Sequence, residues 1–421
     1  MILTSKKGKE ADIRSRVVSV DYYEDVLVPT YSMKIQIVDA GGSVKNGKEG
    51  QPLYTGLEIR GGERLTMRID PNSSSNVALE FTKQPLTVRS VKNVMITAKE
   101  EIFTLHLTSG EAILNEAAFL RETYSADVKI SDHVQNILTK ELNKPKIDKI
   151  DPTKNKHGFQ GNEMHPLEAI IKLSKKAMPE VVKGGSSAGY FFYQTKDGFA
   201  FRSIDALMKE KPKARYVYSE VSASEYDFIP SSDLPSIDRK IISYTIETNN
   251  DVIKKMKAGA FATDRKFFDP VNFKVTTPFE KFSGEDWLGK TKNLGKVFED
   301  TDLKIAAGKK FVDLAFSPTK IFADVIDYGT IEKKVSKDLT SDVREYVSQS
   351  AMRYNTLFTQ ILSILVPLNS KLKAGDIIRC EFPKISTRNQ CDVEQEQISG
   401  LYMIKSLCHH YDTEEIGRAH V

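Results

Sequence analysis

The chain has 421 residues, 40% of them hydrophobic and 28% charged, with 61 basic against 57 acidic side chains and a net charge of +4. Such a balance describes a soluble protein of two or three domains, and the mixed signs along the chain argue against a nucleic-acid-binding face. No apolar run reaches the ~20 residues of a membrane span, Met1 to Asp12 lacks the apolar core of a signal peptide, and three cysteines give no disulfide framework. These features suit a protein that stays in the reducing cytoplasm where it is made, with no membrane insertion.

Residues 1–108 read as strands. Every second residue is apolar in Tyr31 to Ile37, in Leu65 to Ile69, in Val77 to Phe81 and in Phe103 to Leu107. Period two sets one face on a core and the other in water. Turns at Gly41-Gly42, Gly61-Gly62 and Asp70-Pro71-Asn72 separate these runs, which suggests a small antiparallel barrel or sandwich.

Residues 109–235 change character. Ser131-Asp132 is placed to cap a helix whose stripe is Val134, Ile137, Leu138 and Leu142. His165-Pro166 opens a second helix, with Leu167, Ile170 and Ile171 on one face. Then come Tyr190 to Gln194, a Lys196-Asp197-Gly198 turn, and Phe199 to Ser203. Asp-Gly between two apolar strands is a strong hairpin signal, so this part is a mixed α/β module.

Residues 236–421 return to strands around a polar insertion at about 285–340, which holds the single Trp287. A helix is expected over Asp342 to Tyr354, with Val343, Tyr346 and Val347 inward. A buried strand follows over Leu357 to Val366. Gly375-Asp376 suits a turn into the next strand, with Gly375 at positive φ, and Leu401 to Leu407 supplies another strand. The expected class is α+β: two antiparallel β-barrel-like tube domains, 1–108 and 236–421, with an intervening α/β domain, 109–235, and a polar insertion.

Catalytic chemistry is hard to find. Gly185-Ser186-Ser187-Ala188-Gly189 matches Gly-x-Ser-x-Gly, but a nucleophile elbow needs a strand before it and a helix after, and here the order is reversed. Cys380, Cys391, Cys408, His409 and His410 suggest metal ligands, yet no Cys-x-x-Cys pair occurs. On a strand, Cys408 and His410 face one side and His409 the other. The carboxylates Glu414-Glu415, and Glu247 with Asp251, are at chance frequency in so charged a chain. No Walker loop or dinucleotide fingerprint is present. The aromatic run Tyr190 to Tyr193 lacks the basic surround of a base-stacking sheet. The expectation is no enzyme, no cofactor and no catalytic, cofactor-binding or metal residues.

Three stretches resemble the central baseplate hub family of contractile-tailed, myovirus-type phages. Gly189 to Leu207 resembles the hairpin of that family's middle domain. Arg353 to Asn369, with Leu372 to Asp376 and Phe382-Pro383, is similar to the paired strands of its second tube domain. Ser399 to His410 is like the closing strand of that domain. The resemblance implies a homotrimeric ring. Two similar β-domains per subunit would give a pseudo-sixfold surface joining a sixfold tail tube to a threefold spike. Implied partners are the tail spike protein, tube or tube-initiator proteins and other baseplate proteins, with DNA passing through the ring lumen without specific binding. The implied location is the virion baseplate, assembled in the host bacterial cytoplasm. Two alternatives are a hub-like N-terminal part of a type VI secretion spike protein and a tail-associated glycan or cell-wall hydrolase. One departure is Glu415 to Val421. It does not look like the family's ending and matches a sequencing-adapter read-through, so it is expected to be exposed and unpaired, in place of a further strand.

Overall fold

The computed structural model describes residues 1–46, 49–70, 76–180, 187–218, 239–248, 251–270, 272–276, 282–283, 291, 293–294, 304–306, 309–310, 319–325, 343–382, 398–412 and 418–420. Its largest element is one curled sheet of eleven strands. In order across the sheet these are Ser243–Thr248, Gln360–Pro367, Arg418–His420, Ser406–Asp412, Val17–Asp25, Ser32–Asp39, Glu101–Thr108, Leu86–Ile96, Arg64–Thr66, Ile2–Thr4 and Glu10–Asp12. The two β-rich ends of the chain therefore meet backbone to backbone. Ser406 pairs with Asp25, and the ladder continues to Asp412 opposite Ser19.

The alternation at the front of the chain does what period two requires. Met33, Ile35 and Ile37 are buried and the residues between them are not. They form one core with Leu3, Tyr22, Leu65, Phe103 and Leu105. The expected strand over Val77 to Phe81 is shorter. Only Leu79–Glu80 is extended in a ladder. Leu79 and Phe81 do enter the core, but the Val77 N–H donates to Ser370 Oγ at 2.8 Å instead of to a neighbouring strand.

In the middle of the chain, helices Ile130–Glu141 and Pro166–Ser174 pack against the hairpin Tyr190–Thr195 and Gly198–Ser203. The first helix begins a residue earlier than the expected cap. Lys129 holds the N-cap position without a side-chain bond. The Ser131 N–H is already satisfied by Thr153 Oγ1 at 3.0 Å, so the hydroxyl of a different residue does the work of a cap. The hairpin is buried on both faces. Tyr190, Phe192, Phe199 and Phe201 meet the helices, while Phe191, Tyr193 and Ala200 meet Val26, Leu207 and Ala374.

The last part departs most from simple alternation. Helix Val343–Thr356 ends in a turn with Phe358 at φ 57°, so the following strand starts only at Gln360. The stretch expected as one strand over Leu401 to Leu407 serves two sheets. Gly400–Met403 pairs with Ile377–Glu381 in a four-stranded sheet with Ala214–Tyr218 and Lys240–Ile241. Ser406–Asp412 then joins the large sheet. The switch is fixed at Ile404, whose N–H donates to Asp376 O at 2.9 Å and whose O accepts from Gly375 N at 2.8 Å.

The C-terminal tail is not unpaired as its composition suggests. Arg418–His420 lies between Gln360–Pro367 and Ser406–Asp412, pairing with both. The facing edges present bare donors and acceptors one strand apart, and main-chain pairing does not depend on side-chain type. Residues 413–417 and 421 lie outside the described residues, as do Trp287, Cys391 and most of 285–340.

Candidate functional site

The chemistry of this chain is concentrated where its three parts meet. Strand Val17–Asp25 sends Tyr22 and Glu24 inward on the same face, as alternation demands. Against them come the hairpin turn after Thr195 and the segment Ser370 to Asp376. Glu24 is buried and accepts three bonds: from Tyr22 Oη at 2.8 Å, Lys196 N at 3.0 Å and Ala374 N at 2.9 Å. One carboxylate thus ties the first β-part, the α/β hairpin and the last β-part together. Burial pushes its pKa up, and the bonds from Ala374, Lys196 and Tyr22 oppose that shift. A carboxylate with three donors is a satisfied buried acceptor rather than a poised base.

Around this anchor lie further inter-part bonds. Lys196 Nζ donates to the Ser370 carbonyl. Ser370 in turn brackets the first β-part, with N–H to Asn76 Oδ1 at 3.0 Å and Oγ to Val77 O at 2.7 Å. Lys373 Nζ pairs with Asp148 at 2.7 Å and Asp197 at 3.3 Å. Gly375 sits in the expected turn at φ 88°, against Tyr193 of the hairpin.

His409 completes the junction. It is buried, stacks parallel to Tyr22 at 6.3 Å, and its Nε2 lies 3.3 Å from Leu372 O. Its Nδ1 has no partner among the described residues. That pattern fits a neutral ring donating from Nε2. Burial, with the nearby Lys196 charge, lowers its pKa from 6.5 to about 4. Between those values the unfolded chain binds a proton that the folded one refuses, so stability falls as pH drops from 6.5 toward about 4. The expected loss is about 3 kcal/mol. Urea midpoints measured across that window should fall, and His409→Gln, which keeps a donor but does not titrate, should flatten the slope. An unchanged slope would remove His409 as its source.

The residues singled out for catalysis or metal are placed differently. Ser187 is buried, and its N–H and Oγ–H both donate to Asp205 Oδ2 at 2.8 and 2.7 Å. Asp205 Oδ1 is 3.0 Å from Arg353 Nη2, and both side chains are buried. Arg353 Nη1 donates to Asn293 Oδ1 at 2.6 Å. The hydroxyl is thus a donor in an ion-pair cluster joining the hairpin region to helix Val343–Thr356. Cys380 is buried, its thiol pushed up to about 12 by burial and by Glu381. Cys408 and His410 share one face of their strand and His409 the other. His410 Nδ1 lies 2.5 Å from Asp21 Oδ1. Among the described residues no group of three metal-capable side chains converges. Tyr190 to Tyr193 is core. Glu247 and Asp251 are both exposed, and the latter caps helix Val252–Ala258 by accepting from Lys254 N.

Glu24, Lys196 and the Asp205–Arg353 pair were not visible as a site in the sequence. The one available signal was parity: with Val20 and Tyr22 inward, Glu24 must follow them into the core. Asp205 and Arg353 are 148 residues apart, and nothing local links them.

No family model matches the chain, and no curated protein matches it. Solved structures do. The tail protein from Neisseria meningitidis MC58 superposes with a TM-score of 0.50 at 10% identity, covering 100% of this chain and 94% of that one. The 43 kDa tail protein of prophage MuSo2 from Shewanella oneidensis gives a TM-score of 0.50 at 8% identity, covering 100% and 95%. Along its whole length, then, the chain shares its fold with these two tail proteins.

Proposed function

We propose that the chain is a structural subunit of a phage tail baseplate hub, working as a homotrimeric ring that adapts a sixfold tail tube to a threefold spike. The observation that carries this reading is the fold likeness over the full chain to two tail proteins, one of them from a prophage. The interior supports it. Buried carboxylates that accept several bonds, Glu24 and Asp205, fasten three parts of the chain together, which suits a load-bearing adapter. In this reading 1–108 and 236–421, with its insertion at about 285–340, are the two tube domains and 109–235 is the middle domain. Partners are the spike, the tube or its initiator and other baseplate proteins. DNA passes through the lumen, and the assembled protein belongs to the virion after assembly in the host cytoplasm.

Two similar β-domains in each of three subunits present six equivalent positions, which is how one sequence meets both symmetries. Light scattering of the purified protein with its cognate spike protein should give a hub of roughly 140 kDa, three copies of the 47.3 kDa chain, beyond the mass of the spike. A stable monomer under those conditions would count decisively against the hub.

A further inference from the structure

A cavity of about 690 Å³ opens beside helix Ile130–Glu141 in the α/β part, within the ~300–1,000 Å³ range of small-ligand sites. Residues 122–125 and Val128 form one wall and the helix forms the other. Positions three and four apart share a helical face, so His133, Asn136 and Lys140 line that wall in succession. Lys140 Nζ reaches across to Glu122 Oε1 at 2.5 Å. His133 also joins the walls, its Nε2 donating to Ser125 O at 2.9 Å. Tyr124 is half-buried. It stacks on Phe159 at 4.4 Å with 1° between the planes, and His133 meets it edge-on at 5.5 Å. Its ring is thus fixed before any ligand arrives, which lowers the ordering cost of binding.

Past the helix the chain turns through Asn143 and Lys144, both left-handed at φ 56° and 54°. Non-glycine residues seldom take that conformation, and it persists where the surroundings fix it, as around ligands. The Lys144 N–H closes the turn by donating to Thr139 O at 3.2 Å, and both side chains line the cavity. The side chains of Asn136, Asn143 and Lys144 make no hydrogen bond or ion pair among the described residues. Two amides and an ammonium therefore converge on the cavity unengaged.

Charge decides what fits. Glu122 is the one carboxylate among the described lining residues, and Lys140 already holds it. Burial lowers the pKa of His133, which keeps that ring neutral. A cation finds no free acid here. An anion finds one free lysine instead of the clustered, bidentate donors that phosphate recognition favours. Amides donate and accept at once, which matches hydroxyl and acetamido groups, while Tyr124 and Val128 offer apolar surface to the C–H groups of a sugar ring.

We propose that this cavity binds a short neutral oligosaccharide, held by Asn136 and Asn143 against Tyr124. It is a binding site and not a hydrolytic one, since glycoside hydrolysis ordinarily calls for two carboxylates and the cavity has one. The proposal is independent of the hub reading.

Saturation-transfer difference NMR on the purified full chain tests it, with maltotriose as a plain hexose probe and chitotriose as an acetamido probe, each up to ~10 mM. Saturable transfer to at least one of them is expected, and the one that responds assigns the sugar class. Asn136→Ala combined with Asn143→Gly should weaken that binding about tenfold, because it removes both amides while glycine keeps the turn at 143. Asn136→Arg, at an exposed helical position, should abolish binding by filling the cavity, and it serves where the double variant fails to fold. Transfer to neither sugar would overturn the proposal. So would binding that the folded variants retain, which would put the sugar elsewhere. Displacement of the sugar by inorganic phosphate would make this an anion site and overturn it as well.

Discussion

Gly375→Val is expected to destabilise the folded chain by about 2–5 kcal/mol. Two costs add. The residue sits at φ 88°, where a Cβ meets the following carbonyl, worth about 1–2 kcal/mol and more for a β-branched side chain. The new Cβ would also lie 2.3 Å from Tyr193 Oη and 3.1 Å from its Cζ. Tyr193 is buried in the middle hairpin and cannot swing away, so overpacking adds about 1–3 kcal/mol. The damage would spread, because the Gly375 N–H donates to Ile404 O and the Ala374 N–H beside it feeds Glu24. Urea unfolding should register the change, and so should the scattering mass of the assembly under the proposed hub. Gly375→Ala should cost less, and Tyr193→Phe should recover part of that smaller loss by removing the closest atom. A Gly375→Val chain that melts and assembles like the parent would mean the turn is not built this way.

Arg353→Met is expected to cost about 3–5 kcal/mol, the usual effect of stripping one partner from a buried ion pair. Asp205 would keep its two bonds from Ser187 but lose the charge opposite it at 3.0 Å. The proof of coupling is the double variant. Asp205→Asn retains an acceptor for Ser187 and removes the charge, so Arg353→Met with Asp205→Asn should be more stable than Arg353→Met alone. In a double-mutant cycle the pair should show an interaction of at least about 1 kcal/mol. Additive effects would reduce the pair to coincidental neighbours. Ser187→Ala should cost about 1 kcal/mol, the ordinary loss of one buried hydrogen bond.

What the sequence revealed depended on how local the cause was. Strands Ser32–Asp39 and Glu101–Thr108 were legible because alternation is a property of neighbours along the chain. The hairpin Tyr190–Ser203 was legible because Asp197-Gly198 names its own turn, and Gly375 because few residues other than glycine serve there. The hidden features are set by distant partners. Leu401 to Leu407 reads as one strand, yet Ile404 changes sheet because Gly375 and Asp376 hold it on both sides. Val77 leaves the ladder for a serine 293 residues away. Ser187 resembles a nucleophile in its pentapeptide, and only the fold brings Asp205 and Arg353 to it. Phage-hub resemblance reached the fold through turns and packing patterns, while the residues that fasten the parts together were invisible to it.

The ladder between Val17–Asp25 and Ser406–Asp412 has a consequence for synthesis. His410 reaches Asp21 across 389 residues, so a strand made among the first must wait for one made among the last. At ~5–20 residues per second, the ribosome needs on the order of 20–80 seconds to supply it. Throughout that time one long edge of Val17–Asp25 is bare, and loop closure over so wide a span is slow even once the partner exists. The nascent chain is therefore an incomplete sheet until its closing strand emerges. Late closure leaves the large sheet in two pieces until Ser406–Asp412 has been made, so the native sheet forms only after that segment leaves the ribosome.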